Sequence, residues 1–334
     1  MKYLGSIDIG GTKTMVGIVR EDATILCKRH FATRTADCNV HFSDCFDRFN
    51  ECLAEIGITV NDLEGIGVNM PGMVDAATGV LLQAPFAGWY DVDVKGYFSR
   101  KFGIDRIFVE NDVNSCAVGE LVFGNSCDNF LWVTVSTGIG GAVIIDRKLV
   151  YGHNSCAGEI GHVKVEYEHP AQCSCGQWGC AEAHGSGTAI TRMFSEKIRN
   201  DDELSELLAS KNLPADAKTC SLLAKEGNRT AIEVFDTAGK YIGRALSYAA
   251  NLFNPHKIYI GGGVSDSLDL LLPSLHEEFV RATVKQNAGI EIAKTALAYD
   301  AALMGAAALS LTGMGKVQEI DWIKKKTQKS FAGL

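Results

Sequence analysis

The sequence lacks the features of a membrane protein, a secreted protein or a nucleic-acid-binding protein. It contains no run of about 18 or more apolar residues, the length that a membrane-spanning helix requires. The carboxylate of Asp8 stands too early for the apolar core of a secretory signal, so we expect a cytoplasmic protein. With 32 Lys and Arg against 40 Asp and Glu, the net charge is -8, and the basic surface that non-specific DNA binding requires is missing.

The first glycine-rich segment is not a Walker phosphate loop, because it joins two strands rather than a strand and a helix. Residues 3–9 predict a strand that ends after Asp8, and Gly10-Gly11-Thr12-Lys13 leads into a second strand. A glycine hairpin lets backbone N–H groups approach a phosphate, while a hydroxyl and an ammonium group add to its binding. The segment alone is equally consistent with an ordinary β-hairpin turn.

A second segment repeats this layout. Residues 134–146 predict an apolar strand, a turn containing Thr137 and Gly138, and another apolar strand. Two such hairpins indicate duplicated halves, each offering a phosphate loop to one nucleotide between them. A chain of 334 residues with 46% hydrophobic content is also long enough for two domains with separate cores.

Cysteine is plentiful, and one group of cysteines is clustered. The total of eleven is odd, and most of those outside the cluster lie in apolar periodic segments, which predicts buried reduced thiols. The cluster supplies the thiolates and the imidazole that suit tetrahedral zinc: His162, Cys173, Cys175 and Cys180. Four protein ligands would close the coordination sphere and make the site structural. The alternative is a surface loop of ordinary thiols, because the Cys-x-Cys step is tighter than the usual finger spacing.

Polar residues follow the strand predicted at Arg106–Val109. Glu110, Asn111 and Asp112 stand at its carboxyl end and open onto a helix predicted at Ser115–Val122. Ligands bind at this position in α/β proteins. Asn and Asp are also good helix caps, so the residues alone leave both interpretations open.

The rest of the chain alternates between strands and helices. Strands are predicted at Ile66–Met70 and Lys257–Ile260, and helices at Val40–Ile56, Val92–Phe102, Thr230–Phe253 and Asp300–Leu309. Pro71-Gly72 follows the first of these strands and Gly261-Gly262-Gly263 the second, where a ligand could lie against backbone. A plain turn is the alternative at both places. Residues 193–228 predict a solvated helical insertion, and the lysines at 324–329 a solvated charge run.

The motif Cys173-x-Cys-Gly-x-x-Gly-Cys-x-Glu182, preceded by Gly-Glu159-x-Gly-His162, resembles the signature of the ROK family of sugar kinases and sugar-responsive repressors. It matches at every fixed position, and further segments from Asp8 to Gly305 resemble the family too. The resemblance implies an α/β, two-lobed actin-like ATPase (ribonuclease H-like) fold with an active-site cleft between lobes. It implies a smaller lobe from residues 1–116 plus about 300–334, and a larger lobe from 117–299 with the zinc loop and the insertion.

The resemblance also implies a role for each matching residue. Asp112 is the catalytic base, and the histidine and three cysteines of the cluster hold structural Zn²⁺. The sugar ligands are Gly72, Asn111, Asp112, Glu159, His162 and Glu182. The residues that bind ATP and Mg²⁺ are Asp8, Gly10, Gly11, Thr12, Lys13, Thr137, Gly138, Gly261, Gly262 and Gly263. His162 can serve both metal and sugar, because an imidazole has two distinct nitrogens.

The activity that the resemblance implies is phosphoryl transfer from ATP to a hexose, with glucose at its 6-hydroxyl as the first choice. Phe86 stands at about the place where many glucokinase-like relatives carry asparagine, which leaves N-acetylmannosamine, N-acetylglucosamine and fructose as alternatives. A homo-oligomer, either a dimer or a tetramer, is expected. The alternative from another class is a sugar-sensing transcriptional regulator, but such repressors carry a DNA-binding domain before the first hairpin, and Asp8 lies too close to Met1 for one.

Overall fold

The chain folds into two compact units. Its structure, a computed structural model, describes residues 2–124 and 126–313, so the lysines at 324–329 lie outside the described residues. Unit 1 takes in the described residues of Met1–Asp128, Arg147–Ala157 and Thr295–Leu334. Unit 2 takes in Asn129–Asp146 and Gly158–Lys294. Among the described helices, none has both the length and the apolar character needed to cross a membrane.

Strands and helices alternate along both units. In chain order they are β1 (Tyr3–Ile9), β2 (Lys13–Arg20), β3 (Ile25–Ala32), α1 (Cys38–Ile56), β4 (Leu63–Met70), β5 (Met73–Asp75), β6 (Val80–Ala84), β7 (Trp89–Asp93), α2 (Val94–Phe102), β8 (Ile107–Asn111), α3 (Asp112–Phe123), β9 (Phe130–Val135), β10 (Ile139–Ile145), β11 (Lys148–Leu149), α4 (Ala181–Gly185), α5 (Gly187–Ile198), α6 (Asp202–Lys211), α7 (Ala217–Lys225), α8 (Arg229–Phe253), β12 (Lys257–Gly261), α9 (Leu268–Ala282), β13 (Glu291–Lys294) and α10 (Ala301–Thr312).

The main sheets of the two units share one plan. Unit 1 has the strand order β3-β2-β1-β4-β8, in which β1 pairs antiparallel with β2 and parallel with β4. In unit 2, β9 likewise pairs antiparallel with β10 and parallel with β12, and β12 pairs parallel with β13. Each parallel pair is joined by a long helical crossover, as parallel strands require. The two glycine hairpins therefore occupy equivalent places in two similar sheets, as the sequence predicted.

Helix α1 explains how the first hairpin's sheet is supported. Its buried residues recur at helical spacing, and Phe42, Cys45, Phe49 and Cys52 are fully buried beneath the sheet of unit 1. The side chain of Asp37 caps the helix by accepting a hydrogen bond from the N–H of Asn39 at 2.8 Å. The aromatic stripe predicted over this segment is therefore core, and losing one of its phenylalanines would cost about 3–5 kcal/mol of stability.

The boundaries of the units differ from those of the predicted lobes. The first lobe was predicted to end at residue 116, but all of α3 belongs to unit 1. The reason is close packing on α10, because a Cβ on Gly119 would lie 2.9 Å from the Cα of Gly305. The hydroxyl of Thr295 also donates to the buried carboxylate of Glu120 at 2.5 Å. This bond joins the segment before α10 to α3, and both belong to unit 1.

The predicted helices begin one to three residues away from the expected positions. Helix α2 starts at Val94 rather than Val92, because the carboxylate of Asp93 caps it by accepting from the N–H of Gly96 at 2.7 Å. Helix α3 starts at Asp112, three residues before Ser115. The small antiparallel sheet β5-β6-β7 was not predicted at all. All eleven cysteines are free thiols, and five of the eight outside the cluster are buried.

Candidate active site

Asn111 is both the last residue of β8 and the cap of α3. Its Oδ1 accepts hydrogen bonds from the N–H groups of Val113 at 2.9 Å and Asn114 at 3.1 Å. Its Nδ2 donates to the carbonyl of Gly72 at 3.0 Å. The two interpretations of this residue are therefore compatible, because capping uses the oxygen and one amide hydrogen is left for a ligand.

Gly72 supports Asn111 from the turn after β4. Its φ of +127° lies in a region that favours glycine, and a Cβ there would be 2.3 Å from the carbonyl oxygen of Gln83. The glycine therefore serves the close approach of β6, and its own carbonyl orients the Asn111 amide. The sequence predicted that a ligand could lie against the backbone here, whereas in the structure the backbone of Gln83 and Ala84 lies against Gly72.

Two carboxylates of unit 1 influence each other's charge. Asp112 begins α3, where its Oδ1 accepts from the N–H of Val113 at 3.0 Å. Asp8 is buried in β1, and burial, followed by the negative charge of Asp112, raises the pKa of Asp8 to about 8. Bringing a divalent cation to this pair would relieve the repulsion and lower that pKa. The arrangement suits a magnesium-bound polyphosphate next to a carboxylate base.

Glu110 connects this group to the segment after β11. Its Oε1 accepts from the N–H of Asn111 at 2.9 Å and from Nδ2 of Asn114 at 3.1 Å, while Oε2 accepts from the hydroxyl of Tyr151 at 2.8 Å. Burial raises the pKa of this carboxyl, and the three hydrogen bonds oppose that rise. No definite role was predicted for Glu110 from the sequence; in the structure its carboxylate holds the backbone of Asn111 and the side chain of Asn114.

The hairpin of Gly10 to Lys13 is a tight turn with a basic end. The N–H of Gly10 donates to the carbonyl of Lys13 at 3.0 Å, and a Cβ on Gly10 would lie 2.5 Å from that oxygen. Gly11 and Thr12 are exposed at its tip. The Lys13 ammonium donates to the hydroxyl of Tyr299 at 2.5 Å. The half-exposed ring of Phe86 covers the turn, 3.6 Å from the position of a Gly11 Cβ.

In unit 2, Glu182 is hydrogen-bonded to the equivalent hairpin, which joins β9 and β10. Its Oε2 accepts from the N–H of Ile139 at 3.1 Å, and a Cβ on Gly138 would lie 2.4 Å from the same oxygen. Its Oε1 accepts from the hydroxyl of Ser174 at 2.6 Å and lies 3.5 Å from the sulfur of Cys173. One carboxylate therefore joins the turn after β9 to the cysteine loop.

The four predicted metal ligands converge. One donor atom from each of His162, Cys173, Cys175 and Cys180 lies within 4.8 Å of the others. The Cys175 and Cys180 sulfurs are 3.8 Å apart, and Nδ1 of His162 is 3.7 Å from the sulfur of Cys173. Zinc–sulfur bonds of about 2.3 Å in a tetrahedron separate two sulfurs by about 3.8 Å. These residues could therefore hold zinc with little movement.

The two nitrogens of His162 face different groups. Nδ1 points towards Cys173, while Nε2 lies 3.8 Å from Oε2 of Glu159. The Lys164 ammonium donates to the sulfur of Cys180 at 2.9 Å, and that bond raises the pKa of the lysine. The cluster thus has a compensating cation, and the second nitrogen of His162 points to a carboxylate that the sequence assigned to the sugar.

A cavity of about 720 Å³ lies within unit 2, beside the same hairpin. Ser136 and Thr137 of the turn line one part of it, and the start of α5, helix α7, one residue of α8 and the residues after β12 line the rest. Its walls combine apolar side chains with hydroxyls and charges, including Ile190, Lys218, Ser221, Phe235, Val264 and Asp266. These six residues were not predicted from the sequence, because they come from four separate segments and belong to no motif.

Gly261, Gly262 and Gly263, at the end of β12, differ in conformation and surroundings. Gly262 has a φ of +84°, and a Cβ there would lie 2.5 Å from the carbonyl of Val135, so it permits packing on β9. Gly263 has open space at its Cβ position and lines the cavity. Gly261 ends β12 and is buried. Of the three predicted nucleotide contacts, Gly263 is the one that lines this cavity.

Two similar sheets with glycine hairpins, one in each unit, define a two-domain actin-like ATPase fold. The model of the ROK family matches residues 4–312, so the chain belongs to the ROK family, as its motifs predicted. A glucokinase of Thermotoga maritima is 33% identical over 314 residues, which cover 92% of this chain and 97% of that protein.

The solved structures agree with this assignment. A ROK family glucokinase of Streptomyces griseus, in complex with glucose and AMPPNP, has a TM-score of 0.78 at 30% identity, over 92% of this chain and 98% of its own. The relatives also include a xylose repressor of Bacillus spizizenii, 28% identical over 83% of this chain and 68% of the repressor. The family therefore includes both enzymes and regulators.

Proposed function

We propose that this protein is an ATP-dependent glucokinase, which transfers the γ-phosphoryl group of ATP to the 6-hydroxyl of glucose. The observation that carries the proposal is the cavity of about 720 Å³ beside Ser136 and Thr137, the turn predicted to bind phosphate. A base and ribose in this cavity would place the phosphates at that turn. The glucokinases of similar sequence support the choice of reaction.

The protein's part in such a reaction is to position the reactants and neutralise charge. The backbone N–H groups of the two hairpins, with Lys13, would bind the phosphates. Mg²⁺ bound with ATP supplies positive charge to the phosphate oxygens, and Asp8 is the carboxylate nearest in sequence to the first hairpin. Asp112 would accept the proton of the attacking hydroxyl, because its carboxylate is already oriented by the first turn of α3.

For the sugar we propose the ligands that the family resemblance implies, namely Asn111, Asp112, Glu159, His162 and Glu182. A polyol offers many hydroxyl donors, and carboxylates accept them well. Glu182 already accepts from Ile139 and Ser174. If Cys173 binds metal as a thiolate, its sulfur carries no proton, and that acceptor position of Glu182 opens to a sugar hydroxyl.

A structural zinc ion is part of the proposal. His162, Cys173, Cys175 and Cys180 have the donor chemistry and spacing that it requires. When bound, zinc would stabilise the loop that presents His162 and Glu182. The eleven free thiols are typical of a reducing compartment, so we also propose that the protein is cytoplasmic. The net charge of -8 leads us to propose that it acts without nucleic acid, and the family resemblance that it forms a dimer or tetramer.

A panel of sugars tests the function most directly. Glucose, N-acetylmannosamine, N-acetylglucosamine, fructose and xylose should be assayed with ATP and Mg²⁺ in a coupled ADP assay. We expect the highest kcat/KM for glucose, and the 6-phosphate as product by NMR. Faster turnover of an amino sugar or fructose would reassign the substrate, and Phe86 would be the first residue to examine. Sugar binding without any turnover would favour a regulator over an enzyme.

A further inference from the structure

A chain of hydrogen bonds runs from buried His41 to the first hairpin. Nε2 of His41, in the first turn of α1, lies 2.8 Å from the hydroxyl of Thr14 in β2. That hydroxyl lies 2.9 Å from the hydroxyl of Thr33, which donates to the carbonyl of Gly10 at 2.7 Å. His41 and Thr14 are fully buried. The proposed reaction gives none of these three side chains a role.

The direction of every proton in this chain follows from its two ends. The backbone N–H of Arg34 approaches Nδ1 of His41 at 3.3 Å, so that nitrogen must accept and Nε2 must carry the proton. The Nε2–H group therefore donates to Thr14, and Thr14 donates to Thr33. The Gly10 carbonyl can only accept, which fixes the last step. A single neutral form of His41 satisfies the whole relay.

The relay decides where the hairpin's backbone donors point. Thr33 holds two carbonyls of the turn, that of Gly10 through its hydroxyl and that of Thr12 through its own N–H at 3.0 Å. In a planar trans peptide the C=O and the following N–H point in opposite directions. Holding these carbonyls towards Thr33 therefore turns the N–H groups of Gly11 and Lys13 away from it, to the side where an anion could bind.

We propose that His41 is a positioning residue for nucleotide binding, which acts through Thr14 and Thr33 to aim the N–H groups of the Gly10–Lys13 hairpin at the phosphates. This inference rests on the proposed kinase function. His41 touches no substrate in it. Glycine makes the turn flexible, and the relay removes that flexibility before the nucleotide arrives.

Nucleotide and sugar binding should be measured separately, by calorimetry with Mg²⁺–AMPPNP and with glucose. Thr33→Val keeps the shape of the side chain and its N–H bond to Thr12 but loses the hydroxyl. We expect this variant and His41→Leu each to bind AMPPNP about 10-fold more weakly, the effect of one lost hydrogen bond, with glucose affinity within about two-fold of wild type. The double variant should be no weaker than either single variant, because both break one relay.

The controls separate positioning from general damage. Cys52→Ala opens a cavity on the same helix, away from the relay, and Thr35→Val removes a half-buried hydroxyl that makes none of its bonds. Both should bind AMPPNP normally, and His41→Gln, which keeps an N–H donor, should recover part of the loss. Wild-type AMPPNP affinity in Thr33→Val, an equal loss of glucose affinity, or additive effects in the double variant would each overturn the relay while leaving the kinase proposal intact. A wild-type protein that binds no AMPPNP would overturn both.

Discussion

Glu182 accepts a hydrogen bond from the backbone N–H of Ile139 at 3.1 Å, so a residue assigned to the sugar is attached to the turn assigned to ATP. The same carboxylate accepts from Ser174 in the cysteine loop. Three functions predicted separately from the sequence, namely metal, sugar and phosphate binding, thus meet at one side chain of unit 2. Changes at Glu182 should therefore affect both substrates.

Glu182→Gln tests this coupling. An amide is neutral and has a single oxygen, so it can accept from only one of Ile139 and Ser174, and the Ser174 hydroxyl would have to accept from its NH₂ group if the oxygen keeps Ile139. The bond to the Ile139 N–H therefore loses its charged acceptor or is lost altogether. We expect the KM values for glucose and for MgATP each to rise about 10-fold, since a lost hydrogen bond to a charged group costs about 1.5–3 kcal/mol. Glu159→Gln is the control and should raise only the KM for glucose. An unchanged KM for MgATP in Glu182→Gln would show that the Ile139 contact has no functional weight.

Asp112→Asn tests the catalytic base. The amide keeps the size of the side chain but cannot take the proton of the attacking hydroxyl, and general bases typically contribute about 10²–10⁴-fold to turnover. We expect kcat in the coupled ADP assay to fall by that factor while glucose still binds in calorimetry. Asp105→Asn, an exposed aspartate just before β8, is the control. Near-normal kcat in Asp112→Asn would remove Asp112 from the mechanism.

How far the sequence could predict the structure depended on whether a feature is local. The hairpin strands, the stripe of α1 and the cysteine cluster are local patterns, and each was found where predicted. The cavity in unit 2 was not, because Lys218, Ser221 and Asp266 meet only after α7 and the segment following β12 pack together. Neither hydrophobic periodicity nor motif spacing predicts that these residues line one cavity.

Asn111 illustrates a second limit. From the sequence, capping and ligand binding were competing explanations, since either accounts for an asparagine between a strand and a helix. The structure shows the cap, made by Oδ1, and the Gly72 contact, made by Nδ2. A side chain with two chemically different ends can satisfy both explanations, and a single sequence cannot reveal which end points where.

Cys175→Ser tests the metal site. A serine hydroxyl is a far weaker zinc ligand than a thiolate, so the set would fall to three ligands and open to water. We expect elemental analysis to find about one zinc ion per wild-type chain and a clear loss in the variant, with a lower glucose affinity because the loop carrying His162 and Ser174 loosens. Cys38→Ser, a half-buried cysteine outside the cluster, should keep the metal. Equal zinc content in Cys175→Ser and wild type would dismiss the site.

Asp8 gives a pH prediction whose sign follows from its burial. Its pKa rises from 3.8 to about 8 in the folded protein, so between these values the folded state holds a proton that the unfolded state has lost. Stability without nucleotide and Mg²⁺ should therefore fall as pH rises from about 4 to 8, by up to about 1.4 kcal/mol per pH unit. Asp8→Asn removes this penalty, and its Tm relative to wild type should be at least about 3 °C more favourable at pH 8 than at pH 5. The control is Asn at the exposed Asp91, and the Tm of Asp91→Asn should differ from that of wild type by the same amount at pH 5 and pH 8. If the Tm difference between Asp8→Asn and wild type were also unchanged between these pH values, Asp8 would be ionised throughout this range.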